Sequence, residues 1–180
     1  FRSAGIDTIL LGASDAVADT VSFTAVALAT NRDTVSNFET TTDIIGLDVD
    51  QTTVATAAGA IAVIEDEATA AANANGATYA LSTATAGNTN AIDLITLDTA
   101  VLANLANADL SAATDGTELL KALVAAGVGS TATGITMDNI GDELYIAVDD
   151  GVDGYLYYAD SDADAEAVAA EIILVATFTG

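Results

Sequence analysis

Two apolar runs near the end of the sequence place the strongest constraint on the fold. Residues 155–158 are mostly tyrosine and residues 172–178 are mostly aliphatic, and an acidic loop separates them. Short aromatic or β-branched runs bounded by turn residues are typical of strands. The second run is apolar on both faces, so we expect it to lie inside a sheet. Residues 143–148 predict a third strand, which an Asp- and Gly-rich turn at 149–154 joins to the tyrosine run as a hairpin.

Four short runs among residues 1–56 also predict strands. Each begins with Asp, a residue that favours turns, and continues with β-branched or apolar residues. The triplet Asp-Thr-Val or Asp-Thr-Ile starts three of them, but the spacing is too irregular to indicate a solenoid. The four predicted strands are residues 7–11, 19–23, 33–38 and 43–47.

Residues 57–128 mix helical and strand patterns. The clearest helix is predicted at 117–124, where four apolar residues form one stripe. Asp115 or Thr117 is expected to cap its start, and Gly127 is expected to end it. The same kind of spacing predicts helices at 60–74 and 99–107, and strand-like runs occur at 78–82 and 92–97.

Together these patterns predict a mainly β protein with a few short helices. We expect a single module over residues 1–180, built as a β-rich sandwich or a roll-like fold, with an α+β arrangement as the alternative. It divides into a β-rich part at 1–56, a mixed part at 57–128, and a β-hairpin followed by a final strand at 129–180. Apolar residues make up 52% of the chain but aromatic ones only 5%, so aliphatic side chains must fill most of the core.

The charge of the chain is strongly unbalanced. It has 27 acidic and three basic residues, for a formal net charge of −24. Such a chain repels nucleic acids and anionic membrane surfaces, so we expect neither as a partner. No apolar run reaches the roughly 18 residues of a membrane-spanning helix, so the sequence predicts no transmembrane segment.

The residue types present exclude the commonest catalytic sites. The chain contains no His and no Cys, which removes the usual ligands of zinc, haem and iron–sulfur clusters and the base of a Ser or Cys triad. No P-loop, G-x-S-x-G or G-x-G-x-x-G motif occurs. A glycosidase-type carboxylate pair is compatible with the composition, but no pair stands out and Trp is absent. We therefore expect that the protein is not an enzyme.

The loop after the tyrosine run is the first candidate metal site, and calcium is the expected ion. Its acids lie at the spacing of the first, third, fifth and twelfth positions of an EF-hand-like loop, where hard oxygen ligands bind Ca²⁺. Ala165 stands where the EF-hand requires Gly, so a looser calcium loop is expected rather than EF-hand geometry. The alternative is a solvated polar loop. The candidate ligands are Asp160, Asp162, Asp164 and Glu171.

The hairpin turn is the second candidate metal site. Asp149, Asp150 and Asp153 crowd into this turn, where they either bind a cation or simply form an Asp/Gly turn. They can share a site with the Asp160 loop only if the strands bring the two groups together.

Four tyrosines cluster on the predicted hairpin. Tyr155 and Tyr157 share one strand face and Tyr158 takes the other, with Tyr145 on the neighbouring strand. Packing in the core and across strands is one use for them. An exposed row that binds sugar is the alternative, which makes a surface polysaccharide a candidate partner.

Two stretches carry a resemblance to a known group of proteins. Residues 33–47 and 154–180 resemble the C-terminal regions of bacterial RTX-type exoproteins and related secreted surface proteins; the second stretch looks like the hairpin near the end of those chains. The resemblance implies type I secretion, calcium-assisted folding outside the cell, and a surface-layer, adhesin or matrix role. The glycine-rich nonapeptide repeat of the group is absent from this chain.

The leading hypothesis is a secreted bacterial cell-surface structural protein. We expect it to self-assemble, as a homo-oligomer or polymer, into a surface layer, sheath or extracellular filament with the help of calcium. The run at 7–11 contains no Pro or Lys that would guard a strand edge, so a neighbouring copy can add a strand there. The alternatives are an adhesin or carbohydrate-binding tail module, or the non-catalytic C-terminal piece of a secreted hydrolase.

Overall fold

The protein is mainly β, as the sequence predicts. The computed structural model describes residues 6–12, 17–23, 32–39, 42–47, 64–66, 76, 93–97, 99, 101–137, 143–161 and 164–180. Within these ranges the strands are β1 (Thr8–Leu10), β2 (Thr20–Phe23), β3 (Asp33–Ser36), β4 (Ile44–Leu47), β5 (Ile64–Asp66), β6 (Asp93–Leu97), β7 (Gly134–Thr136), β8 (Glu143–Asp149), β9 (Asp153–Asp160), β10 (Glu166–Val168) and β11 (Ile172–Thr179). The helical elements are α1 (Thr117–Ala122) and 3₁₀ turns at Leu105–Asn107 and Ala169–Glu171.

A mixed sheet forms the centre of the fold. Its seven described strands lie in the order β1-β3-β11-β9-β8-β6-β5. The neighbours are parallel except for the pairs β11–β9 and β9–β8, which are antiparallel. Because two reversals cancel, the outermost described strands β1 and β5 run in the same direction. The hairpin β8–β9 and the interior position of β11 confirm the predictions for residues 143–178.

Each face of this sheet carries its own hydrophobic core. On one face, α1 and the turns around it pack against β6, β8, β9 and β11. On the other face, the two-stranded parallel sheet β2–β4 contributes Val21 and Phe23, which pack against Tyr145, Tyr158 and Phe178. The sheet is therefore covered on both sides, which explains why its central strands are apolar at consecutive positions.

A β-bulge in β11 lets one strand serve both cores. Leu174 pairs with Tyr157, but the next partner of β9, Leu156, pairs with Ala176, so Val175 is the extra residue. In a regular strand Leu174 and Ala176 would point to the same face. The bulge shifts the alternation, so that Leu174 lies in the helix-side core and Ala176 in the core against β2–β4.

The four N-terminal strands form two stacked rungs of a short roll. The first rung consists of β1 in the large sheet and β2 in the small one, and the second rung consists of β3 and β4. Thr8 pairs in parallel with Thr34, and Thr20 pairs in parallel with Ile44. The Asp-led repeat thus marks equivalent positions of successive rungs. Two rungs are too few to form a solenoid, but the irregular spacing of the repeat does not prevent these strands from stacking in parallel.

Helix α1 confirms the clearest helix prediction. Its N-cap residue is Gly116, so neither Asp115 nor Thr117 holds the predicted cap position; the Asp115 carboxylate instead accepts the backbone N–H of Thr117 at 3.0 Å, which satisfies one of the free donors at the helix start. The four apolar residues of the predicted stripe are buried: Leu119, Leu120, Leu123 and Val124. The helix ends at Ala122, two residues earlier than predicted.

Two other helix predictions are wrong where the structure describes them. Ile64–Asp66, within the predicted helix at 60–74, is a strand because it pairs in parallel with β6; the rest of that segment lies outside the described residues, as does the strand predicted at 78–82. Among the described residues of the range 99–107, only Leu105–Asn107 are helical, and they form a 3₁₀ turn. The Asn104 side chain is fully buried there and bonds the backbone of Lys121 and Gly127, so it favours a turn over a helix.

Candidate functional site

The acids of the β8–β9 hairpin build the turn itself. Asp149 Oδ1 accepts the backbone N–H of Gly151 at 2.7 Å, and Asp150 Oδ1 accepts those of Val152 and Asp153, each at 2.8 Å. Gly151 has a φ of 90°, which a residue with a Cβ rarely adopts. The interpretation of this segment as an Asp/Gly turn is confirmed. Its predicted second use, as a metal site, stays a prediction.

The acidic loop after β9 uses its described carboxylates in a similar way. Asp164 Oδ1 accepts the N–H of Glu166 at 3.0 Å, and Glu171 Oε2 accepts that of Val168 at 2.9 Å. Asp160 is the last residue of β9 and pairs in register with Glu143 of β8. Asp162 lies outside the described residues. Among the residues that the structure describes, no three acids form a metal-binding group, so the calcium loop stays a prediction.

The two acidic segments cannot form one site. Asp153 begins β9 and Asp160 ends it, and β9 is eight residues long. A strand of that length separates its ends by roughly 23 Å. A single shared calcium site for the hairpin turn and the Asp160 loop is therefore excluded, because the strand that joins them holds them apart.

The hairpin tyrosines are buried. Tyr145, Tyr155, Tyr157 and Tyr158 are each no more than 5% exposed, and the Tyr145 and Tyr158 rings pack edge to face at 5.5 Å. The Tyr157 hydroxyl donates a hydrogen bond to the backbone oxygen of Leu110, and the Tyr155 hydroxyl donates one to Asp150 Oδ2. Burial raises the pKa of both Tyr155 and Tyr157. The packing interpretation is confirmed, and these residues do not form an exposed sugar-binding row.

An open cavity of about 330 Å³ lies beside the same hairpin. Its apolar lining includes Phe38, Ile45 and Phe178, and the Phe38 and Phe178 rings meet edge to face at 5.1 Å. Asp149 and Asp153 also line it. Sequence reasoning missed this cavity because residues far apart along the chain line it, and no local pattern marks them.

The outer edge of β1 has a defined set of backbone groups. The oxygen of Asp7 accepts the N–H of Thr34, and the N–H of Leu11 donates to Ser36, so both residues point toward β3. Because the direction alternates along a strand, the N–H and C=O groups of Thr8 and Leu10 point away from β3. No other described strand pairs with them.

The side chains of β1 do not block the addition of another strand at its outer edge. The Leu10 side chain is 74% exposed, and β1 contains no Pro, Lys or bulge that would prevent pairing with another chain. The position of β1 at the edge of the sheet agrees with the prediction for residues 7–11.

The described cations neutralise little of the surface charge. Lys121 forms an ion pair with Glu118 of the same helix, and Arg32 donates a hydrogen bond to the backbone oxygen of Ser111 at 2.6 Å. The third basic residue, Arg2, lies outside the described residues. Burial raises the pKa of Asp33 in β3, so its ionised form is disfavoured where it lies. Most of the excess negative charge must therefore be screened by ions from solution.

None of the described helices has the length and apolar character needed to cross a membrane. Comparison with known protein families, with curated proteins and with solved structures gives no match to this chain. The candidate sites are the acidic segments at the two ends of β9, the apolar cavity at the hairpin, and the open edge of β1.

Proposed function

We propose that this chain is a non-catalytic structural module of a bacterial cell surface that is secreted and self-assembles with the help of calcium. The observation that carries the proposal is the edge of β1, where Thr8 and Leu10 present backbone groups outward. An edge strand with free donors and acceptors is a template for a strand from another chain. An exposed apolar side chain at the same edge, that of Leu10, adds surface to be buried on contact.

The extracellular setting rests on the resemblance to RTX-type exoproteins in residues 33–47 and 154–180. The composition is consistent with it, since the chain has no Cys that an oxidising environment would cross-link. Secretion also supplies the calcium that a chain of this charge can use, because free calcium is far more abundant outside cells than within them. Calcium between acidic faces would reduce the repulsion between neighbouring copies.

The cavity at the hairpin favours a second candidate function, that of an adhesin or carbohydrate-binding module. Phe38 and Phe178 offer aromatic surface, and Asp149 and Asp153 offer carboxylate acceptors for hydroxyl groups. An apolar pocket with a few polar groups is the usual form of a small-molecule site. Under this alternative the protein binds its ligand as a monomer, so the state of association separates the two functions.

The test places a proline where it removes only an outward N–H. Leu10→Pro deletes a donor at the open edge, whereas Ile9→Pro deletes a donor that faces β3 and is expected to damage the fold. In millimolar calcium the parent should sediment as large assemblies that electron microscopy shows as filaments or sheets, and chelation should weaken them. Leu10→Pro should sediment mainly as a monomer with an unchanged unfolding midpoint.

Leu10→Ala is the matched control, because it removes the exposed side chain and keeps the N–H. It should still assemble if backbone pairing drives association. A concentrated parent protein that stays monomeric in millimolar calcium contradicts the structural function, and the binding module then becomes the better explanation.

A further inference from the structure

The two rungs of the N-terminal roll are joined by aspartate side chains. Asp33 Oδ1 accepts the backbone N–H of Asp7 at 3.0 Å, and Asp43 Oδ1 accepts that of Asp19 at 3.0 Å. In both pairs the acid at the start of a strand bonds the residue at the same register of the previous parallel strand. We call these four residues the Asp ladder. Its rule is that an acid of the second rung accepts a backbone N–H of the first rung.

Asp7 is the first acid of the Asp ladder in the large sheet, and it has no described rung before it. Its Oδ2 is buried and accepts no hydrogen bond. A buried carboxylate oxygen without a donor costs free energy that a suitable N–H would recover. Rotation about the Cβ–Cγ bond exchanges the two oxygens, so the carboxylate can present either one to a donor. The position of Asp7 therefore matches a strand that pairs with the outer side of β1.

The ladder rule also fixes the direction of that strand. Both ladder bonds join parallel strands, so a partner that repeats them must run parallel to β1. At the opposite edge of the same sheet, β5 runs in the same direction as β1 and pairs, among the described strands, with β6 alone. When two copies lie side by side in the same orientation, β5 of one is parallel to β1 of the next.

We propose that β1 of one copy binds β5 of a second copy in parallel, with the Asp7 carboxylate accepting a backbone N–H of the incoming strand. This inference rests on the proposed self-assembly and names its interface. The contact is heterologous, so it leaves a free β1 and a free β5 at the ends and continues copy by copy into a filament. A two-fold contact of β1 with β1 would be antiparallel and would stop at a dimer.

The first test separates assembly from folding with two matched substitutions. Asp7→Ala removes a buried carboxylate oxygen that accepts no hydrogen bond within one copy, so it should not lower the unfolding midpoint, and it should raise the dissociation constant for assembly about tenfold. Asp33→Ala removes the same group one rung further in, where it bonds Asp7, and should lower the unfolding midpoint. If Asp7→Ala assembles like the parent, the role assigned to Asp7 is overturned, although self-assembly itself still stands.

The second test identifies the two edges in contact. The chain has no native Cys, so Leu10→Cys and Asp66→Cys each introduce a single thiol, one on β1 and one on β5. An equal mixture is assembled in calcium and treated with a short thiol cross-linker. Cross-linked pairs that contain one chain of each kind are the expected product. The Val152→Cys variant, exposed at the hairpin turn, serves as the control for random contacts.

The other outcomes overturn the inference in distinguishable ways. Pairs formed only between Leu10→Cys chains indicate the two-fold contact. If Leu10→Cys and Asp66→Cys chains cross-link with each other no more often than with Val152→Cys chains, another surface mediates assembly. That outcome leaves the proposed function intact. A protein that remains monomeric removes both this interface and the proposed function.

Discussion

Aspartate side chains in this protein accept hydrogen bonds from nearby backbone N–H groups. The Asp33 carboxylate accepts an N–H of the previous rung, and the Asp115 carboxylate accepts one at the start of α1. Those of Asp150 and Asp164 accept N–H groups two residues further along the chain, within their own turns. A chain without proline needs another device to fix turns and strand starts, and Asp supplies it through a short carboxylate that reaches the local backbone. The acidity of the sequence is therefore partly structural.

Asp33 provides a prediction at this scale. Burial raises the pKa of the Asp33 carboxyl in the folded protein above its value in the unfolded chain. The stability that this carboxyl contributes is therefore fully present below the unfolded pKa and is lost as pH rises through the folded pKa. Asp33→Asn keeps an oxygen for the Asp7 N–H and removes the charge. We expect the variant to be at least as stable as the parent at pH 7, with the difference vanishing near pH 4, in urea unfolding followed at several pH values. A variant that is less stable at pH 7 would mean that the charged hydrogen bond outweighs the cost of burial.

Strand β11 is the element on which the two halves of the fold depend. It pairs with β3 of the N-terminal roll on one side and with β9 of the hairpin on the other. Its bulge at Val175 supplies buried residues to both cores, and its first residue, Ile172, packs against the start of α1. An insertion or a large side chain near Ile172 is therefore expected to disturb the helix as well as the sheet.

Gly116, at the start of α1, tests this dependence. A Cβ at Gly116 would lie 2.6 Å from Cβ of Ile172, which is fully buried and cannot move away. We expect Gly116→Ala to lower the free energy of unfolding by about 1–3 kcal/mol, as overpacking does in other cores. Gly129→Ala is the comparison, because its Cβ meets nothing within 4 Å and only the φ of 76° opposes it. It should cost about 1 kcal/mol in the same denaturant titration. Equal costs for the two variants would argue against a rigid contact at Ile172.

At the scale of the whole molecule, charge and strand edges act in opposite directions. The net charge of −24 keeps copies apart, while the open edges of the central sheet favour their association. Conditions that neutralise carboxylates should shift this balance toward assembly.

Calcium should also stabilise the single folded copy. Extracellular calcium modules bind with a Kd of about 10⁻⁴–10⁻³ M, and at ten times Kd one site adds roughly 1.4 kcal/mol to the free energy of unfolding. Thermal unfolding of dilute protein should therefore show a higher midpoint in Ca²⁺ than in Mg²⁺ or chelator. The double variant Asp162→Ala with Asp164→Ala should reduce the calcium effect if the loop after β9 is a site. Identical midpoints in all three solutions would exclude specific calcium binding.

Local sequence patterns were sufficient to predict several elements of the fold. The Asp-led strands, the hairpin, the apolar final strand and helix α1 follow from side-chain patterns and turn residues within a few positions of each other. Core packing of the four hairpin tyrosines was one of two uses that the sequence left open, and their burial in the structure decides between them. The same local evidence failed at 60–74 and 99–107, where pairing with β6 and the buried Asn104 overrode helical spacing.

Contacts between residues that are far apart along the chain could not be predicted from local patterns, because they depend on how the strands and layers pack. Stacking of β1 on β3 and of β2 on β4 depends on pairing between strands that lie more than twenty residues apart, which spacing alone does not reveal. The bulge at Val175 and the cavity beside Phe178 arise from packing between layers. The separation of Asp153 from Asp160 depends on a single strand running straight between them. The direction of β5 relative to β1 depends on whether each of the six neighbouring strand pairs between them is parallel or antiparallel. It is therefore a property of the whole sheet, which no single segment of the sequence can indicate.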